Sequence, residues 1–158
     1  MEKNKRLSYE EYNRVFKCLY NYIKSIEVPS ITDEMWKLEF FTSSKQDQIM
    51  IQRISNRAEK TEKNIIGGYT AYLPFYINYC SSAKTEQSLL KITDPLDYIA
   101  TEFENETENK FINITFPNDI VAQKLEMITN PGGTTLENGM TVFSAMYQLV
   151  YYKKGVFE

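Results

Sequence analysis

The sequence predicts an α+β fold: a mostly antiparallel sheet of about five strands with two main helices packed on one face. Three observations predict it. Apolar residues step by three or four in two stretches, the spacing of a helix with one buried face. Elsewhere they alternate in runs bounded by turn residues, the spacing of strands. The order of these stretches, a helix, strands, a helix and strands, lacks the strict alternation of a parallel α/β sheet.

The first helix opens at Ser8, with Glu11 three residues later in capping-box spacing and Leu7 and Tyr12 placed as a hydrophobic staple. Tyr12, Val15, Phe16, Leu19, Tyr20, Ile23 and Ile26 form its apolar stripe, and Pro29 ends it. Residues 35–41 read as a strand with Trp36, Leu38 and Phe40 on one face. Residues 43–47 are a polar turn, and residues 48–55 a second strand, so the two form a hairpin. Residues 56–68 are the most polar stretch of the middle of the chain and close on Gly67-Gly68; they read as a long mobile loop of the kind that often carries function. Residues 69–80 are the clearest strand: Tyr69, Ala71, Leu73, Phe75, Ile77 and Tyr79 share a face. Pro74 lacks a ladder donor and points to an edge or a bulge.

Residues 81–85 lead into a second helix with Leu89, Ile92, Leu96, Ile99, Ala100 and Phe103 along its stripe. Asp94-Pro95 either kinks it or opens a fresh segment. Pro117-Asn118-Asp119 marks a turn, residues 124–129 a strand, and residues 130–139 further turns. Residues 141–152 form a last strand, apolar on both faces and therefore central.

At 158 residues the chain is expected to be a single domain, residues 1–158, with residues 1–6 and 154–158 flexible. A net charge of −3 argues against a protein whose main task is gripping nucleic acid, since that needs many Lys and Arg contacts to phosphate. The polar start and the lack of a long apolar run lead us to expect no signal peptide and no membrane association. Cys18 and Cys80 lack metal-site spacing and read as buried free thiols. Tyr, at 12 residues, outnumbers Phe at 9, which suits surfaces that are wet until a partner covers them.

Parts for catalysis are missing. There is no histidine, hence no conventional triad, and no Gly-rich phosphate loop. Glu102, Glu104, Glu106 and Glu108 are spaced by two, which scatters them around a helix as a solvated patch. We expect no enzyme, no catalytic residue, no metal and no cofactor.

The stretch Asn64-Ile65-Ile66-Gly67-Gly68-Tyr69 through Leu73-Pro74-Phe75-Tyr76-Ile77-Asn78-Tyr79 resembles the "Tyr-x-Asp-Gly-Ser…Pro-Phe" strand of the tail terminator and minor capsid proteins of tailed bacteriophages. A helix like that of residues 88–104, a turn like Thr129-Asn130-Pro131 and an aromatic closing strand like residues 143–152 follow in the family's order. The likeness covers residues 10–153 in element order and is specific around residues 64–79 and 127–152. Gly67-Gly68 stands where many relatives have Asp-Gly, and either pair can make the turn. The resemblance implies a structural virion protein at the head–tail junction, assembled in the host cytoplasm. It implies a homohexameric ring that caps the tail tube, stops its polymerisation and joins the head-completion or neck protein. DNA crosses the lumen without specific binding; six copies at −3 each carry −18, which suits a lumen along which DNA slides. For the contact with the tube or between subunits the candidates are the loop residues Arg57, Glu59, Lys60, Glu62 and Lys63. Further inter-subunit candidates are Tyr72, Tyr76, Asn130 and Asn138. The alternatives are a neck or head-completion protein, a small host-directed immunity or anti-defence protein, and an enzyme of unrecognised chemistry.

Overall fold

A computed structural model describes residues 5–39, 41, 46–82, 94–136 and 139–156. Helix α1 covers Tyr9–Ser25 and helix α2 Asp94–Glu108. The strands are β1 (Trp36–Leu38), β2 (Gln48–Arg53), β3 (Glu59–Lys60), β4 (Tyr69–Ser81), β5 (Ile120–Met127), β6 (Gly132–Thr135) and β7 (Thr141–Lys153). Among the described residues they form one seven-stranded, mostly antiparallel mixed sheet, so the α+β class holds while the strand number there is seven rather than five.

The centre is β4 against β7, paired residue by residue from Tyr69 with Lys153 to Ser81 with Thr141. That ladder is about 43 Å long at ~3.3 Å per residue. Neither flank is matched by one strand. Beside β4 lie β2, opposite residues 75–80, and β3, opposite residues 71–72. Beside β7 lie β5 and β6 in the same way. Two short strands therefore share each flank, which is why the sequence, read as single runs, undercounts them.

Both helices lie on one face. Phe75 of β4 meets Phe16 of α1 edge-on at 6.2 Å, Phe103 of α2 at 6.1 Å, and stacks on Tyr147 of β7 at 5.7 Å. Phe103 and Tyr147 meet edge-on at 5.2 Å. Burying each such ring contributes about 1.5–3 kcal/mol, and the ring geometry adds to it. The alternation seen in the sequence is this face: Ala71, Leu73, Phe75, Ile77, Ala145, Tyr147, Leu149 and Tyr151 have no exposed surface.

Pro74 is on a central strand rather than an edge. It sits opposite the break between β2 and β3, where no strand asks for its missing N–H. The Tyr12 hydroxyl fills that break: it donates to the Pro74 carbonyl at 2.7 Å and accepts from the Ile54 N–H at 3.0 Å. Burial pushes the Tyr12 hydroxyl well above its ordinary pKa, so it stays a donor.

Three local expectations are overturned. The pair β1 and β2 is parallel, not a hairpin, with Trp36 opposite Ile49. β1 stops after three residues, because Glu39 turns into left-handed backbone (φ 67°). Residues 39–47 are long enough to carry the chain back alongside so short a strand, about 10 Å. Trp36 is buried and Leu38 exposed, while Phe40 lies outside the described residues. The capping box is half made: Ser8 Oγ accepts from the Glu11 N–H at 3.2 Å, but the Glu11 side chain turns into the core. Leu89 and Ile92 of the second helical stripe lie outside the described residues. Residues 5 and 6, expected to fray, are tied to β3: Arg6 bridges Glu59, and the Lys60 N–H donates to the Lys5 carbonyl at 2.7 Å.

Replacing Tyr12 with Phe keeps the ring and removes the hydroxyl, leaving the Ile54 N–H and the Pro74 carbonyl buried without it. We expect urea denaturation to show a loss of about 1–3 kcal/mol with an unchanged m-value. A loss indistinguishable from zero would mean that water fills the break as well as the tyrosine does.

Candidate interaction surface

Away from the helices, the sheet has an open face. It carries Tyr72 and Tyr76 from β4, Gln52 from β2, and Val142, Ser144, Met146 and Val150 from β7, with Asn78 and Met50 buried among them, by alternation with the core side. Tyr72 is exposed and Tyr76 half-buried, so both sequence candidates from β4 stand on this face. At the β6 end the face sinks into a depression of about 490 Å³ lined by Phe41, Met50, Tyr76, Leu136 and Val142 together with uncharged polar side chains. The Asn78 amide donates to the Gln52 Oε1 at 3.2 Å across its floor.

The second surface is the segment read from sequence as a mobile loop. It is a hydrogen-bonded hairpin. Residues 55–57 make a 3-10 turn, Ala58 is fully buried, and β3 pairs with β4. The Thr61 N–H then donates to the Thr70 carbonyl at 2.8 Å, and the Thr70 N–H to Thr61 Oγ1 at 2.9 Å. The tip is built on Asn64. Its Oδ1 accepts from the Ile66 and Gly68 N–H groups at 3.2 and 2.8 Å, and its Nδ2 donates to the Tyr152 hydroxyl at 2.8 Å. Gly67 takes the left-handed turn position (φ 89°). The C-terminal segment closes on the tip so tightly that a Cβ on Gly155 would fall 1.9 Å from the Ile66 carbonyl oxygen. Polar residues here form turn chemistry that satisfies the backbone, which a count of charges reads as a mobile loop.

Of the charged candidates, Arg57, Glu59, Glu62 and Lys63 are exposed. Lys60 is half-buried, with Nζ 5.1 Å from the Tyr69 ring centre. Asn130 is exposed between β5 and β6, far along the chain's other flank, and Asn138 lies outside the described residues. The structure thus brings Tyr72 and Tyr76 together on one face and the charged group together on one hairpin. Removing residues 58–64 would also remove buried Ala58 and its bond to the Leu7 N–H, so such a deletion would disturb the fold.

The hairpin end rests on a polar cluster that the sequence concealed. Glu11 is buried and accepts hydrogen bonds from the Tyr69 and Tyr151 hydroxyls, the latter at 2.7 Å. Burial, then the bond to Glu11, pushes both phenols well above their ordinary pKa. Arg14 donates to both Asp119 oxygens at 3.1 and 2.9 Å, and Lys153 Nζ stands 3.6 Å from Asp119. The Arg14 hydrogen bond holds the Asp119 carboxyl below its ordinary value. Glu106, assigned to a solvated patch, is buried, and its Oε1 accepts from the Asn113 N–H and Nδ2 at 3.2 Å. Helical spacing held the signal: Glu11 precedes Val15 by four, and Glu106 follows Phe103 by three, on the apolar stripes.

Cys18 is half-buried and Cys80 buried; burial raises both thiols above their ordinary pKa. Among the described residues, no three or more His, Cys, Asp or Glu side chains converge to hold a metal. No helix among them is long and apolar enough to cross a membrane.

Two measurements test this geometry. The stability gap between the wild type and Asp119→Asn should be largest at neutral pH. Because the folded-state pKa of Asp119 is depressed, the gap should close as pH falls through and below the ordinary value of 3.8. A gap that persists unchanged at pH 2 would contradict the assigned pairing. Gly155→Ala should unseat the C-terminal segment, and the Gly68 amide should then exchange with deuterium at least tenfold faster.

No protein-family model and no curated protein sequence matches the chain. A solved structure is similar in fold: a chain of the "Virion of native gene transfer agent (GTA) particle", with a TM-score of 0.62 and 7% identity. The match covers 92% of this chain and 99% of that chain. At this identity the likeness speaks for the fold.

Proposed function

We propose that this chain is a structural, non-enzymatic protein of a phage-like virion that closes the tail tube as a ring of identical subunits, six by the tail-terminator resemblance. The observation that carries the virion reading is the fold, similar over 92% of this chain to a component of a gene transfer agent particle. The ordered motifs around residues 64–79 and 127–152 support the narrower reading as a tail terminator at the head–tail junction. The ring stops tube polymerisation and offers its other side to the neck protein.

The surfaces suit such work. The open sheet face carries half-exposed tyrosines and aliphatic side chains that stay soluble in a free subunit and gain from being covered. The hairpin carries Arg57, Glu59, Glu62 and Lys63 outward on a backbone that is already fixed, so little ordering entropy opposes docking. We assign these charges to the tube-facing side. Charged rims set orientation and association rate more than affinity, which fits a subunit that must find the end of a tube and ignore its wall.

Negative-stain microscopy of the purified protein mixed with tail tubes is the direct test. We expect sixfold rings at one end of tubes of uniform length. Bare tube ends, with the protein monomeric throughout, would overturn the reading. The double variant Arg57→Glu, Lys63→Glu should melt at the wild-type temperature, since both side chains are exposed, yet cap tube ends at least tenfold less often.

A further inference from the structure

The tip of the hairpin is unusual for a turn. Ile65 is fully exposed, and Ile66 beside it is exposed as well. A single exposed aliphatic residue is ordinary, but turn tips favour Gly, Asn, Asp and Ser, and here two β-branched residues stand side by side. They are also held still. The bonds of Asn64, the left-handed Gly67 and the close passage of Gly155 fix the backbone beneath them. From Asn64 to Thr70 the chain carries no charge.

At the opposite end of the same sheet lies the depression on the open face, whose lining also contains no charged residue. The tip precedes Tyr69, and the depression lies at Tyr76 and beyond. About 23 Å of strand separates those two residues at ~3.3 Å each. A subunit cannot fill its own depression.

We propose that Ile65 and Ile66 of one copy seat in the depression between Met50, Tyr76, Leu136 and Val142 of the next copy. The inference rests on the ring reading and names the contact that closes it. An apolar projection and an apolar hollow at different places on one molecule make a head-to-tail contact, which runs on as a filament or closes as a ring. In a closed ring every copy gives one tip and receives one, so no isoleucine pair stays in water. The uncharged tip enters an uncharged hollow, and the hairpin's charges remain on its flanks. The fixed backbone sets the angle between neighbours, which a ring of one size requires.

Disulfide trapping tests this. In a Cys18→Ser, Cys80→Ala background, which removes the thiol that faces residue 142 across the ladder, Ile65→Cys combined with Val142→Cys should give an intermolecular ladder on mild oxidation, with and without tail tubes. Either single variant should give at most dimers. Thr134→Cys serves as a second partner if Val142→Cys melts early. Ile65→Asp, at a fully exposed position, should keep the wild-type melting temperature and raise the concentration needed for rings about tenfold. Rings that lysine cross-linkers capture while neither cysteine pair gives a ladder would overturn this contact and leave the ring reading standing. A disulfide from residue 65 to the tube protein instead of to a second copy would overturn it too. The absence of any oligomer by either chemistry, tubes present, would overturn both.

Discussion

The structure depends on the thirteen-residue ladder between β4 and β7 and on the ring of Phe75 that it places at the sheet's centre. Phe16 and Phe103 approach that ring from different helices, so one side chain fixes both. The ladder is also longer than any neighbouring strand. Each flank must break, and each break would leave backbone groups unpaired at a cost of about 1–3 kcal/mol apiece. Side-chain hydroxyls meet that demand. Tyr12 serves the break between β2 and β3. Thr129 serves the one between β5 and β6, where its Oγ1 accepts from the Met146 N–H at 2.9 Å. Helix α1 is therefore tied to the sheet by the hydrogen bonds of Tyr12 as well as by its stripe.

What the sequence made legible follows from period. Residues 69–79 and 141–152 alternate because one face of each is dry, and α1 steps by three and four for the same reason. What it hid depends on partners far along the chain. Glu11 is a carboxylate in the first turn of a helix, where capping is the ordinary local role. Only Tyr69 and Tyr151, which are distant in sequence, make burial the better outcome. Glu106 is a nearer case: its partner Asn113 lies seven residues on, past the end of the helix, where the helical period says nothing. The direction of β1 was hidden for another reason: three residues hold too little pattern to specify pairing, and a left-handed Glu39 is not visible in residue type. For the interaction surface, the sequence placed Tyr72 and Tyr76 on the face opposite the core. It read the hairpin by its charges and missed that Asn64 and Gly67 make a fixed tip of it.

Sheet edges constrain how such a subunit can associate. An open edge invites pairing with any strand. Here β1 is only three residues long, and α2 reaches over β5: Thr107 Oγ1 accepts from the Leu125 N–H at 3.0 Å. Strand-to-strand addition at these two edges, a mode that has no natural end and slips easily in register, is thereby discouraged, while β6 keeps an edge of four exposed residues.

A projection seated in a hollow behaves differently. It fixes distance and angle together, saturates when one tip is received, and leaves the rest of the open face for another protein. Such a contact needs stiffness in the projecting part more than area, because any bend at the hairpin would be repeated at every interface around a ring and prevent its closure. The hydrogen bonds of Asn64 and the passage of Gly155 under Ile66 supply that stiffness. The buried cluster of Glu11, Tyr69 and Tyr151 anchors the hairpin to helix α1 directly beside the tip. A carboxylate and two phenols held out of water beside the tip of a surface hairpin are costly if the hairpin has only to connect two strands. They are accounted for if it has to hold an angle.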